Sequence, residues 1–238
     1  MKLSFAKLPI SFCAAFAALL SAPVGGSPVP GETLHYNINW PTGVTLGEAQ
    51  LSASDSQPSG DAAPTLHLAF DLDASIPGFS ASDHYRSETS EDFCSVEFQR
   101  SSTHGSKRVE DKTIFDAQEG TATRVSAGGG KSRMEASRCS HDALAFLYFV
   151  RHELSQGRVP PPQTIFFGVP YDVSLDSDGA QNISIRGKQQ EADHFTAHVQ
   201  GPASNTTVEM FFLKDPARTL AMVRVPFMLG TFSMELVK

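Results

Sequence analysis

Hydrophobic and polar residues alternate along much of this chain. Leu34, Tyr36, Ile38 and Trp40 fall on one face of an extended segment, with His35, Asn37 and Asn39 on the other. Leu66, Leu68, Phe70 and Leu72 repeat the pattern. So do Tyr171, Val173 and Leu175, then Ile183 and Ile185, then Phe195, Ala197 and Val199, and finally Phe232, Met234 and Leu236. A period of two sends successive side chains to opposite faces, the mark of half-buried antiparallel strands. Turn chemistry separates them. The polar stretch 55–64, the glycines 128–130 ahead of Lys131, and segments 176–179 and 214–217 all read as turns. Strands joined in this way predict a mainly β fold: a curved antiparallel sheet or incomplete β-barrel of about a dozen strands.

One segment breaks the pattern. Residues 143–150 are eight apolar residues in a row. Ser140 before them is expected as the N-cap, with Asp142 in the first turn, where a carboxylate suits the helix dipole. Gly157 stops the segment. The principal helix is therefore expected near 141–156, a rod of about 24 Å. Its middle is apolar all round and needs cover on most sides. That predicts a helix across the concave face of the sheet, plugging its mouth. Pro160, Pro161 and Pro162 then form a stiff link to a strand at 164–168.

The first residues follow another order. Lys2 and Lys7 are basic, 8–20 is apolar, and 21–27 is rich in small residues. Basic, apolar, small is the order of a secretory signal peptide, expected over 1–26 and leaving one β-rich domain over 27–238. An apolar run of about 13 residues is short of the roughly 20 that span a bilayer, so a stable transmembrane protein is not expected. Cys13 lies behind Phe12, where a lipid-anchoring signal would want a small residue. A periplasmic or secreted bacterial protein of the cell envelope is the expectation.

Charge narrows the partners. The formal net charge is −7, and removing Lys2 and Lys7 takes it to −7 − 2 = −9. No basic stripe is available to neutralise phosphates, which argues against nucleic acid. The same acidity argues against non-specific adhesion to anionic lipid. Of three cysteines, Cys94 and Cys139 remain after the leader. In an oxidising compartment such a pair reads as a disulfide, with two buried thiols as the alternative.

Candidate chemistry falls away on inspection. Gly129, Gly130, Lys131 and Ser132 resemble the end of a phosphate-binding loop, but Val125 stands where that loop needs glycine. His194 and His198 lie on a strand pattern, where a separation of four is about 13 Å, too far for one metal ion. Cys139, His141 and Asp142 are neighbours in sequence, and nucleophile and base usually meet through the fold instead. Glu88, Glu91 and Asp92 read as a solvated acidic face. No catalytic, cofactor-binding or metal-binding residue is assigned, and a non-enzymatic role is expected. Asp142 and Arg151 are kept as candidates near a ligand. Arg151 follows the apolar run, where it would meet an anionic headgroup at a cavity mouth or pair with a local acid.

Several short motifs carry a family resemblance. Gly31, Glu32, Thr33, Leu34, His35 and Tyr36 open the domain, followed by Gly47, Glu48 and Ala49. The helix runs from Asp142 through Leu144, Leu147 and Tyr148 to Arg151. Phe212, Leu213, Lys214, Asp215, Pro216, Ala217 and Arg218 form a late hairpin, and a glycine-containing strand ends the chain at 230–236. This order resembles the bacterial domain of unknown function 3108 family. The resemblance implies an exported, mostly antiparallel β fold and carries no assigned activity. Export, aromatic strand faces and an apolar helix together suggest binding or carriage of an apolar or amphipathic envelope molecule such as a lipid, because mouths of curved sheets hold small ligands. The alternative is a structural or assembly factor of the envelope, acting through protein partners on its edge strands.

Overall fold

The protein is described by a computed structural model over residues 31–56, 64–202, 205–227 and 230–237, with the side chain of Phe227 left aside. The leader expected over 1–26 lies outside the described residues.

The first half of the sheet is β1 (Glu32–Asn39), β2 (Thr45–Asp55), β3 (Thr65–Ile76), β4 (Phe79–Ser90), β5 (Ser95–His104), β6 (Lys107–Asp116), β7 (Thr121–Ser126) and β8 (Lys131–Glu135). Then come β9 (His141–Asp142), the helix α1 (Ala143–Ser155), β10 (Gln163–Phe166), β11 (Pro170–Ile185), β12 (Lys188–Gln200), β13 (Asn205–Leu213), β14 (Leu220–Phe227) and β15 (Gly230–Leu236). Among the described residues, the fifteen strands form one sheet in the order β8-β7-β6-β5-β4-β3-β2-β1-β15-β14-β13-β12-β11-β10-β9. Every pairing is antiparallel except β9 with β10. The mainly β curved sheet expected from alternation is what forms.

The alternation works because the inward rows line up. Leu34 faces Leu51 and Tyr36 faces Ala49 across β1 and β2, while Leu51 faces Phe70 and Ala49 faces Leu72 across β2 and β3. Register shifts near Ile38, Glu88, Ser177 and Phe211 add the local twist that bends strands into a curve. At Gly47 any side chain would collide with the Asp73 carbonyl and Ala74, so the close approach of β2 to β3 requires glycine.

One turn expectation needs correction. Residues 176–179 do not form a hairpin. They lie inside β11, where the register shifts between Ser177 and Gly179 and Gly179 takes φ 85°. The hairpin turn comes later, at Arg186 and Gly187. Asp, Ser and Gly serve a bulge as well as a turn, because both need a residue at positive φ.

The two arms of the sheet curl until β9 reaches β5. The Ser95 amide donates to the Ser140 carbonyl at 2.8 Å. Beside it Cys94 and Cys139 are joined in a disulfide, their Cα atoms 4.7 Å apart. Further along, Arg100 donates to the Phe167 carbonyl at 3.2 Å, and the Phe115 and Phe166 rings meet edge to face at 5.4 Å. Asp111, its side chain fully buried, accepts from Arg100 at 2.5 Å and Arg124 at 2.8 Å. This seam makes the sheet barrel-like.

The helix lies within the curve and starts two residues later than expected. Asp142, not Ser140, is the N-cap: its backbone is extended and its carboxylate accepts from the amides of Leu144 and Ala145. Ser140 comes too early because His141 and Asp142 first pair as β9, and its hydroxyl accepts from the Ser137 amide instead. Leu144 and Tyr148 join one buried cluster with Leu34, Tyr36, Leu51 and Leu68. Phe146, Val150 and Leu154 join a second, with Ile165, Val173, Phe195 and Phe212. No helix among the described residues is long and apolar enough to cross a membrane.

Candidate functional site: an apolar cavity beyond the helix

The helix fills only part of the interior. The ends of β1, β3, β14 and β15 run on, and with the β3–β4 hairpin they line an open-sided cavity of about 840 Å³. Ile38, Trp40, Leu46, Phe70, Leu72 and Ile76 form one wall. Ala74, Phe79, Ala81, Val223, Val225, Phe232 and Met234 form the rest of the apolar lining. This volume lies within the roughly 300–1,000 Å³ of small-molecule sites. The same alternation that builds the core builds this wall: Trp40 continues the row of Leu34, Tyr36 and Ile38. Its ring meets Phe232 edge to face at 4.9 Å.

Two ionisable side chains interrupt the apolar lining, Asp83 and His104. Asp83 sits on β4 in the inward row Phe79, Ala81, Asp83, Tyr85, opposite Leu72 of β3. His104 ends β5 opposite Ala81. Its Nε2 donates to both Asp83 carboxylate oxygens, at 3.0 and 3.1 Å. The Asp83 side chain is 12% exposed and that of His104 49%, so the pair runs from the cavity wall towards solvent. Sequence reading passed over both residues. The legible signal was an acid inside an otherwise inward-facing row.

The residues singled out from sequence lie elsewhere. Asp142 is fully buried at the start of the helix. Besides the two helix amides it accepts from the hydroxyls of Ser87 at 2.6 Å and Ser95 at 2.7 Å. Burial pushes its carboxyl above the usual range, and these hydrogen bonds pull against that shift. Arg151 is also fully buried. It pairs with Glu32 at 2.7 Å and donates to the carbonyls of Ala217 and Arg218. Burial works to lower its pKa, and the Glu32 pair more than offsets this. Neither residue is among those lining the cavity.

His141 donates through Nδ1 to Gln163 and stacks on Phe149 at 4.6 Å. Burial depresses its pKa, partly countered by Gln163. Cys139 is held in the disulfide, so this neighbourhood offers no thiol. His194 lies flat on Phe211 at 4.3 Å, and His198 pairs with Asp176 at 3.0 Å. Glu88 accepts from Thr65 at 3.2 Å, while Glu91 and Asp92 are exposed in the β4–β5 turn. Among the described residues no group of three or more His, Cys, Asp or Glu is placed to hold a metal ion.

Comparison with known proteins gives family and fold. The family described as "Protein of unknown function (DUF3108)" matches residues 33–237. No curated protein matches the chain. Among solved structures, the chain is similar to a beta-barrel-like protein of domain of unknown function DUF1849 from Brucella abortus. The identity is 10%, the TM-score 0.62, and the match covers 90% of this chain and 98% of that one. At that identity the likeness concerns fold alone.

Proposed function

This chain belongs to the DUF3108 family, and on that footing we propose that it binds and carries an apolar or amphipathic molecule in the cavity beyond the helix, as an exported protein of the cell envelope. The single observation that carries this reading is the unfilled apolar cavity of about 840 Å³ in a sheet that otherwise packs its interior. Phe70, Leu72 and Met234 line that space without filling it. Export is supported by the leader-like sequence over 1–26 and by the disulfide between Cys94 and Cys139. The assembly-factor reading has less support. The free edge at β8 carries Lys131, Arg133 and Glu135, and charged edges resist pairing with a partner strand.

Trp40 is the only tryptophan of the chain and lines the cavity, so its fluorescence reports occupancy. Burial of a methylene is worth about 0.8 kcal/mol, so each carbon added to a linear alcohol should tighten binding about fourfold until the cavity is full. Ala81→Phe narrows the cavity without adding a tryptophan and should abolish the response while leaving the far-ultraviolet circular dichroism unchanged. A Trp40 signal independent of chain length and of Ala81→Phe would overturn the proposal.

A further inference from the structure

Resting on that reading, the Asp83–His104 pair narrows what the cavity takes. Among the described residues the lining is apolar apart from Ser75, Ser233 and this pair, and it contains no lysine or arginine. Arg151, which the sequence offered either to an anionic head or to a local acid, takes the acid: it is committed to Glu32 and two backbone carbonyls. With histidine counted as neutral, the formal charge that the described lining presents to an occupant is the Asp83 carboxylate, held by His104. That carboxylate offers about four acceptor positions, and one N–H of His104 spans its two oxygens, leaving acceptor capacity for a donor. The surrounding chain is acidic as well, with a formal net charge of −7.

We propose that the cavity selects a single-chain amphiphile whose head donates hydrogen bonds and carries no negative charge, seated with its chain among Trp40, Leu72 and Phe232 and its head on Asp83 and His104. An anionic head would bring like charge to a carboxylate that is largely shielded from water, where repulsion is poorly screened. An alcohol or amine places a donor where acceptors are free. His104, half exposed, keeps that end of the cavity wet enough for a polar head.

The test uses three probes of equal chain length, 1-decanol, decylamine and decanoate, each titrated at pH 7 against the whole protein with Trp40 fluorescence as readout. Decanol and decylamine are expected to bind at least about tenfold more tightly than decanoate. Asp83→Asn removes the charge with little change in shape, and should bring decanoate to within about threefold of decanol. His104→Gln keeps the carboxylate and should preserve the discrimination against decanoate, which guards against a misfolded Asp83 variant. Equal binding of decanoate and decanol by the unaltered protein would overturn the head selectivity and leave the cavity reading standing. An unchanged ratio in Asp83→Asn would do the same. Failure of all three probes to bind would overturn the cavity reading itself.

Discussion

Arg151 and Glu32 form a two-pronged ion pair, Nη1 to Oε2 and Nη2 to Oε1 both at 2.7 Å, between residues 119 apart in sequence. It ties the end of α1 to the start of β1, and the Arg151 side chain has no exposure at all. Removing one partner strands a buried charge. Glu32→Ala is therefore expected to lower unfolding stability by about 3 kcal/mol, and combining it with Arg151→Met should recover part of that loss. Urea unfolding followed by Trp40 fluorescence measures both. A single-variant loss below 1 kcal/mol would contradict the account.

Asp142 caps α1 and gathers two buried hydroxyls. Asp142→Ala loses the cap, worth about 1 kcal/mol, and leaves Ser87 and Ser95 without their acceptor, at about 1–3 kcal/mol more. Asp142→Asn keeps an acceptor for the helix amides and removes a charge that burial disfavours. It should stay within about 1 kcal/mol of the unaltered protein. Thermal melting of the two variants side by side tests this, and equal loss in both would assign the effect to charge rather than capping.

The disulfide closes a loop of 45 residues at the seam. In the chain-entropy model that is worth about 4 kcal/mol. Cys94→Ser with Cys139→Ser should lower the denaturant midpoint accordingly. It should also raise amide hydrogen exchange at Ser95, whose N–H bonds across the seam to Ser140. Unchanged exchange there would mean that the seam holds without its covalent link.

His141 carries a pH dependence of stability. Its folded pKa is held below the ordinary 6.5 chiefly by burial. As pH falls through 6.5 the unfolded chain takes up this proton and the folded protein does not, so stability drops down to the folded pKa and then levels. Unfolding free energies measured between pH 7.5 and 5 should decline less steeply in His141→Phe than in the unaltered protein. A parallel decline would remove His141 as a cause.

Much of the architecture was legible because strand alternation is local. The row from Leu34 to Trp40 shows its inward face without reference to the rest of the chain, and the row from Leu66 to Leu72 does the same. The helix was equally plain from its unbroken apolar run. Its cap was misplaced because β9 depends on pairing with β10, whose strand begins at Gln163 beyond the helix. Local sequence around Ser140 contains no trace of that partner. The bulge at Ser177 and Gly179 passed for a turn for the same reason, since only the register against β12 distinguishes the two.

By itself the sequence determined the mainly β class and the principal helix, because each follows from periodicity or an unbroken apolar run. It offered Cys94 and Cys139 as a pair but equally allowed two buried thiols, and the bond between them is a finding of the structure. Only the tertiary structure decided where the two arms of the sheet meet, that Arg151 is neutralised by Glu32, and that Asp83 and His104 share a cavity wall with Trp40. Those are contacts between residues tens to more than a hundred positions apart. They exist because the sheet curls and closes, and closure is a property of all fifteen strands together rather than of any one of them.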